Sequence, residues 1–170
     1  KVGVENVCFL SHLIGNDCGG SSLKQNQVVV VRNYVECAKW SVLTGPNDER
    51  LGPRFTPITD PIELEPHFVK VAASKPFERK MESVVAVHVP STATSSLTTS
   101  GFYGEMGYQT RVLGLVPEIQ VAHHLGLKKV VVGIADYSVD RQMANAESFG
   151  EVVAMIDAMF AELEAAADSK

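Results

Sequence analysis

The sequence contains no apolar segment long enough to cross a lipid bilayer. A membrane-spanning helix needs ~20 consecutive apolar residues, and no run approaches that length. The first residues also lack the regions of a secretory signal peptide. Basic residues are fewer than acidic ones, 15 against 20, for a net charge of −5. This balance predicts that neither nucleic acid nor a membrane is the main partner, while a local basic pocket for phosphate remains open.

Cysteine is scarce and follows no recognisable spacing. Cys8, Cys18 and Cys37 are odd in number and match no metal-binding or redox motif. Cys8 lies in an apolar run and is expected to be a small buried hydrophobic residue. The pattern predicts three free thiols in a reducing, cytoplasmic compartment, and no metal.

The length fits a single domain. A chain of 170 residues can bury one sizeable core, and 45% hydrophobic with 21% charged residues is ordinary for a globular protein. There is no internal repeat and no sign of a second domain, so we expect one domain over residues 1–170. Because the chain opens on Lys1 rather than methionine, we expect it to be processed, truncated or missing an upstream segment.

Buried strands and amphipathic helices alternate along the chain. Apolar and β-branched runs predict strands at residues 4–10, 28–31, 83–89 and 129–135. A shorter helix is predicted from Pro117 to Gly126, because proline suits the first helical position and glycine the end. A C-terminal helix is predicted from apolar residues at three- and four-residue spacing, namely Phe149, Val152, Val153, Ile156, Met159, Phe160 and Leu163. The alternation indicates an α/β layer architecture.

Two segments are predicted to be irregular. Residues 43–66 contain five prolines, which exclude regular structure over much of that stretch. Residues 91–100 are mostly serine and threonine and predict a mobile loop.

Residues 45–55 read Gly-Pro-Asn-Asp-Glu-Arg-Leu-Gly-Pro-Arg-Phe, which neither composition nor periodicity demands. This segment resembles the GPNDER-x-G-x-RF segment of trimeric purine nucleoside phosphorylases. Similar patches cover most of the chain in the family's order, at residues 3–7, 54–60, 111–113, 116–118, 122–127 and 133–136.

The resemblance implies a three-layer α/β fold, with a mixed, largely parallel sheet flanked by helices and truncated at the N-terminus. It also implies a glycosyltransferase of purine salvage that converts a purine nucleoside and phosphate into a free base and a pentose 1-phosphate. Inorganic phosphate is the co-substrate and no other cofactor is implied. The expected assembly is a cytoplasmic homotrimer.

Two residues are implied to hold the purine. Counted back from Arg111, Glu105 matches the family's glutamate, which accepts a hydrogen bond from a 6-oxopurine, with Tyr103 beside it in the substrate site. Asp136 matches the asparagine that donates to N7 of the departing base, where developing negative charge is stabilised. Aspartate must be protonated to donate. Related methylthioadenosine phosphorylases have Asp-Tyr there for 6-aminopurines, so the type of base stays open.

Other positions are implied to meet the sugar, the phosphate or a neighbouring chain. Phe149 lies near the family's histidine at the ribose 5′-hydroxyl, and an apolar group there suits a 5′-modified sugar. Phe55 matches a phenylalanine that reaches into the adjacent subunit's site. Gly15 falls at one of the family's phosphate-binding positions, and Gly114 or Leu115 falls at another, where the family has a serine.

The chain departs from the family where phosphate is bound. Residues 12–15 read His-Leu-Ile-Gly where the family has Asn-Ala-Ala-Gly, and Leu13 and Ile14 are expected to crowd an anion. About ten family residues, including a strand, are expected to be missing between Arg111 and Val116. A non-catalytic member that acts in binding, storage or assembly is therefore the alternative.

Each site residue also has a purely structural interpretation. Glu105 could be an exposed loop carboxylate, Asp136 a turn or helix-capping residue, and Phe149 a core residue of the last helix. The neighbouring histidines at 123 and 124 point about 100° apart on a helix, so a structural role is favoured over a metal site.

Overall fold

The part of the chain that the structure describes contains five strands and four helices. The structure is a computed structural model, and it describes residues 3–16, 23–38, 41–89, 97–136 and 146–168. In chain order the elements are β1 (Asn6–Gly15), β2 (Gln27–Glu36), α1 (Glu65–Ala73), β3 (Glu82–His88), α2 (Leu97–Glu105), β4 (Thr110–Val112), α3 (Val116–His124), β5 (Lys128–Asp136) and α4 (Ala146–Asp168).

The strands form a closed barrel in the order β1-β4-β3-β2-β5. The pairs β1–β5, β2–β3 and β3–β4 are parallel, whereas β1–β4 and β2–β5 are antiparallel. The predicted mixed, largely parallel pairing is thus present, but the expected three-layer sheet is wrong. The barrel closes because the end of β1 pairs with β4 on one side and with β5 on the other. A register shift between Val31 and Asn33 bends β2 as it passes from β5 to β3.

Strands β2 and β5 are buried on both of their faces over residues 28–31 and 129–133. One set of alternating residues fills the interior, where α3 also packs: Leu13, Val29, Val31, Val84, Ala86, Val112, Val116, Ile119, Val131 and Ala135. The other set packs outside against α1 and α4: Val28, Val30, Phe68, Val71, Val130, Val132, Val152, Met155 and Met159. Burial on both faces explains why β2 and β5 read as unbroken β-branched runs rather than as alternating patterns.

Gly133 in β5 makes room for Leu13 inside the barrel. A Cβ atom built on Gly133 would lie 2.3 Å from Cδ1 of Leu13, closer than atoms can approach. Leu13 is fully buried there. The leucine that was expected to crowd an anion therefore directs its side chain into the core instead.

The four predicted strands and both predicted helices are present. Three elements were missed, namely α1, α2 and β4, and all are short. The mobile loop predicted at 91–100 is wrong for residues 97–100, which begin α2, and residues 91–96 lie outside the described part. Phe149 is 48% exposed at the start of α4, so its interpretation as a core residue is also wrong.

No helix among the described residues is both long and apolar enough to span a membrane.

Candidate functional site

The carboxyl ends of β1 and β5 lie side by side and form one edge of the barrel, which we call the mouth. The two strands are parallel, and Ile14 is paired with Asp136. Gly15 is the next residue of β1 and is buried. Two predicted site residues, Gly15 and Asp136, are therefore brought together where open α/β sheets commonly bind ligands. The side chain of Asp136 is outside the described part.

The connection between α2 and β4 is fastened to the same mouth by Asn16. Its backbone N–H donates to the carbonyl of Gln109 at 2.9 Å, and its Nδ2 donates to the carbonyl of Tyr108 at 2.7 Å. Asn16 is fully buried, and its Oδ1 has no partner among the described residues. Glu105, at the end of α2, is exposed and three residues from Tyr108. The predicted purine-binding carboxylate of Glu105 is thus close in sequence to Tyr108, the residue that Asn16 binds at the mouth.

Gly114 lies at the other end of β4 from Gly15. In the β1–β4 pairing Gly15 is opposite Thr110, the first residue of β4, whereas Gly114 is the second residue after the end of β4 at Val112. Gly114 belongs to a turn of residues 113–115 that leads directly into α3. Leu115 has φ 76° and ψ −48°, a conformation that a non-glycine residue adopts at a cost of about 1–3 kcal/mol. The structure does not place the two predicted phosphate glycines side by side.

A histidine–carboxylate pair adjoins that turn and was not predicted from the sequence. His88 at the end of β3 is 4% exposed, and its Nδ1 lies 2.9 and 3.0 Å from the two carboxylate oxygens of Glu36. Its Nε2 lies 3.2 Å from the carbonyl oxygen of Leu113. The ring therefore connects the ends of β2 and β3 to the turn that contains Gly114.

Further polar side chains complete this end of the barrel. Burial raises the pKa of Tyr34, and the negative charge of Glu36 raises it further. A hydrogen bond from Gln120 of α3 to the Tyr34 hydroxyl acts in the opposite direction and lowers the pKa. The hydroxyl of Ser41 donates to Oε1 of Gln120 at 3.1 Å. We call Tyr34, Glu36, His88 and Gln120 the polar layer, because they lie at one end of the apolar barrel interior.

The phenol of Tyr103 has Cys37 as a hydrogen-bond partner. Burial is the main cause that raises the pKa of Tyr103, and the hydrogen bond and electrostatic interaction with Cys37 raise it further. The nearby positive charge of Arg111 opposes that rise. Burial lowers the pKa of Arg111, which is 4% exposed in β4. Tyr103 thus belongs to a phenol, thiol and guanidinium group outside the barrel wall.

The segment of residues 45–55 is docked on the end of α3. Asp48 caps its turn by accepting from the backbone N–H of Arg50 at 3.1 Å and pairs with the same residue's guanidinium at 2.5 Å. Gly52 packs so closely on α3 that an added Cβ would lie 2.1 Å from the carbonyl oxygen of His124. The glycine of this motif is therefore required by a close backbone approach.

Phe55 projects from this segment into solvent. Its side chain is 84% exposed, and the guanidinium of Arg54 lies 5.6 Å from the ring centroid. His123 Nε2 donates to the carbonyl of Pro57 at 3.0 Å, which fixes the segment near the amino end of β5. β5 has nine residues and ends at Asp136, so its two ends are about 26 Å apart along an extended chain. Phe55 consequently lies at the opposite end of β5 from its own chain's mouth.

A fully buried lysine anchors the segment that follows Phe55. Lys129 Nζ donates to Oε1 of Glu63 at 3.0 Å and to the carbonyl of Leu127 at 2.8 Å, and lies 3.4 Å from Nδ1 of His123. Burial raises the pKa of Glu63, but hydrogen bonds from its own backbone and from Lys129, with that lysine's charge, outweigh the burial and lower it. His123 therefore has the structural role that was favoured for it. Among the described residues no three histidine, cysteine or acidic side chains converge on a point that could hold a metal ion.

The predicted site residues are distributed around a closed barrel, and comparison with solved structures shows that this is a phosphorylase-like α/β fold. Solved structures with this fold include the Schistosoma mansoni purine nucleoside phosphorylase in a complex with BCX-34, with a TM-score of 0.77 and 19% identity. That match covers 93% of this chain and 60% of the other. A Schistosoma purine nucleoside phosphorylase in complex with guanosine has a TM-score of 0.75 at 20% identity, over 90% of this chain and 61% of the other.

A third such structure is a purine nucleoside phosphorylase in complex with ribose-1-phosphate, with a TM-score of 0.77 at 20% identity. The match covers 93% of this chain and 59% of the other. This chain thus spans about 60% of the length of the structures it matches. No protein-family model and no curated protein sequence matches it. At these identities the similarity establishes the fold.

Proposed function

We propose that this chain is a purine nucleoside phosphorylase-like glycosyltransferase. The observation that carries the proposal is the juxtaposition of Gly15 and Asp136 at the mouth of a barrel with this fold. The proposed reaction joins a phosphate oxygen to C1′ of the sugar while the bond from C1′ to the purine breaks. The products are a free base and a pentose 1-phosphate.

Asp136 is proposed to stabilise the departing purine. The base leaves with its electron pair, so negative charge develops on the ring, and a donor at N7 stabilises that charge more in the transition state than in the substrate. A carboxyl group donates only while it carries a proton. Asp136 would therefore act as a neutral acid, with Glu105 selecting the opposite edge of the base.

The phosphate site is proposed to be made of backbone rather than side chains. Gly15 and Gly114 are not side by side, so they are two alternative positions for it: neither carries a side chain, and an anion beside either glycine meets its N–H group directly. Leu13 does not block Gly15, because its side chain fills the barrel interior. Ile14 is only half-buried beside the mouth, and it favours the second candidate, a non-catalytic member that acts in binding, storage or assembly.

A phosphorolysis assay tests the proposal. Inosine, adenosine and methylthioadenosine are each incubated with the purified protein, with and without inorganic phosphate, and free base is measured. Phosphate-dependent release of base from any of them is expected. Absence of release from all three by a folded sample would support the second candidate. Asp136→Asn should shift relative kcat/KM from 6-aminopurine toward 6-oxopurine nucleosides, and an unchanged ratio would remove Asp136 from the base site.

We further propose that three chains share their sites through Phe55. An aromatic side chain that is 84% exposed and lies at the far end of β5 from its own mouth is suited to the mouth of another copy. Phe55→Ala and Asp136→Ala chains are each expected to be nearly inactive alone. Mixing them should restore activity, because some mixed trimers contain a site with both residues intact. Mixed oligomers without recovered activity would contradict shared sites, and a monomer in solution would contradict the trimer.

A further inference from the structure

The polar layer contains one side chain that bridges three separate parts of the barrel. The ring of His88 lies between the carboxylate of Glu36 on β2 and the carbonyl of Leu113 in the turn before α3. Sequence-based reasoning assigned no role to either His88 or Glu36. Both ring contacts are at hydrogen-bonding distance, and the histidine is 4% exposed.

Both ring nitrogens of His88 face acceptors. A carboxylate and a carbonyl oxygen accept hydrogen bonds and have no hydrogen to offer. Only the imidazolium form donates at both nitrogens, so a neutral ring must give up one of the two contacts. The ring is therefore arranged to link Glu36 with the turn through contacts at both of its nitrogens.

The turn that His88 contacts needs such support. Leu115 adopts a positive φ of 76°, a conformation that persists only where the surroundings fix it. The other described contacts of the turn are two backbone hydrogen bonds, from Val116 N–H to the carbonyl of Gly114 at 2.9 Å and from Ile119 N–H to the carbonyl of Leu115 at 2.9 Å, and the packing of the Leu115 side chain in the core. His88 adds a side-chain contact to Leu113, the residue on the strand side of Gly114.

We propose that His88 and Glu36 form a positioning pair that holds the turn of residues 113–115 in the geometry with which Gly114 binds phosphate. The phosphate part of this inference rests on the proposed phosphorolysis. Gly114 can offer an anion only its backbone N–H, and the direction of that group is set by the turn. A small rotation of the turn removes the contact, whereas a serine side chain at this position could adjust its own torsion.

The test compares His88→Phe with His67→Phe. His88→Phe removes both ring contacts and keeps an aromatic ring in place. His67 is the matched control, because its Nε2 also lies near a carboxylate, 3.5 Å from Glu162, but on the outer helices. Amide hydrogen exchange of residues 113–119 should become about tenfold faster in His88→Phe. It should remain unchanged in His67→Phe.

Kinetics then separate positioning from general stability. In His88→Phe the KM for phosphate should rise about tenfold while kcat changes less than about twofold, because phosphate binding is weakened and the chemical step is not. The KM for the nucleoside should stay near that of the unaltered protein. A loss of kcat with unchanged phosphate KM would overturn the phosphate role.

The exchange measurement does not depend on turnover. Unchanged amide exchange of residues 113–119 in His88→Phe would contradict the proposal that His88 holds the turn, whether or not the protein is an enzyme.

If the unaltered chain shows no phosphorolysis, the proposed function fails separately, and protection of residues 113–119 by millimolar inorganic phosphate becomes the readout. Protection that is lost in His88→Phe supports the pair, and no protection overturns its phosphate role. If His88→Phe does not fold, Glu36→Gln, which keeps the ring, carries the same comparisons with a smaller expected change of about threefold.

Discussion

Replacing Glu63 by glutamine should destabilise the barrel far more than the small chemical change suggests. Lys129 is 0% exposed and has Glu63 as its only acidic hydrogen-bond partner among the described residues. Glu63→Gln keeps the size of the side chain and one acceptor oxygen but leaves the ammonium without an opposite charge. Removing one partner of a buried ion pair costs about 3–5 kcal/mol, because a buried charge is left uncompensated. We expect a loss of this size in the free energy of unfolding.

The opposite replacement should cost less. Lys129→Met removes the charge itself and fills its space with an apolar side chain of similar length. Glu63 then lies 30% exposed, so water can solvate it, and it keeps the hydrogen bond from the backbone N–H of residue 129 at 3.2 Å. Loss of the remaining hydrogen bonds costs about 1–3 kcal/mol. In the double variant the two losses should not add, because Glu63→Gln is costly only while the buried charge of Lys129 is present, and Lys129→Met removes that charge.

Urea unfolding followed by circular dichroism measures these differences. Glu162→Gln is the control, because it makes the same change at a carboxylate that is 52% exposed and should alter the free energy of unfolding by less than about 0.5 kcal/mol. If Lys129→Met proved as destabilising as Glu63→Gln, or if the double variant showed the sum of both losses, the reasoning from an uncompensated buried charge would be refuted.

Acid provides an independent check on the same pair. The pKa of Glu63 is lowered from its ordinary value of 4.5, so its ionised form is favoured in the folded protein. The corresponding stability is present above pH 4.5 and is lost as the pH falls from there through the lower folded pKa. The unaltered chain should lose stability in that window, and the Glu63→Gln variant should lack this component. Parallel curves for the two proteins below pH 4.5 would contradict the assignment.

Three further outcomes follow from local packing and burial. Gly133→Ala should destabilise the barrel by about 1–3 kcal/mol in urea unfolding, since the added methyl group displaces Leu13, and combination with Leu13→Ala should show less than the sum of the single losses. Gly52→Ala should release the segment of residues 45–55 from α3, which proteolysis would detect as faster cleavage there, with no change if the close approach is absent. Burial raises the pKa of Cys8 to about 11, so a thiol reagent at pH 8 should label the exposed Cys37 much faster than Cys8, and equal rates would contradict the burial.

Hydrophobic patterning predicted the barrel wall but not its closure. The β-branched runs of β2 and β5 are visible because both of their faces are buried, and α4 because one of its faces is. β4 was missed because three residues, one of them the charged Arg111, give no periodicity. Yet this short strand pairs with both β1 and β3 and completes the ring. Closure depends on a pairing across the chain that no local pattern encodes.

The same strand affects the predicted site. β4 runs from Thr110 to Val112 and leads directly into α3, so Arg111, from which Glu105 was counted back, lies within this strand. The family strand expected to be missing between Arg111 and Val116 and the assignment of Glu105 both stay predictions. The parallel ends of β1 and β5, by contrast, could be predicted to bring Gly15 and Asp136 together.

The polar layer could not be found by motif because its members are distant in sequence and each has an ordinary local setting. Glu36 and His88 each end a strand, and a single charged or polar residue at that position is common. Their pairing follows from the register in which Glu36 is opposite His88. The register in turn depends on the shift after Val31, which turns the following side chains to the other face.

The parallel pairing of β1 with β5 also has consequences for how the chain reaches its native state. It joins Asn6 to Lys128, residues roughly 120 positions apart, and β2 needs the same late strand as a partner. During synthesis, β1 and β2 must wait until β5 has left the ribosome before the ring can form. Slow folding is expected, with unpaired β-branched strands exposed meanwhile and a corresponding need for chaperones. Even in the closed ring, β1 pairs with β4 only at Ile14 and Gly15, so residues 6–13 of β1 have β5 as their one strand partner among the described residues and keep an edge that another chain could pair with.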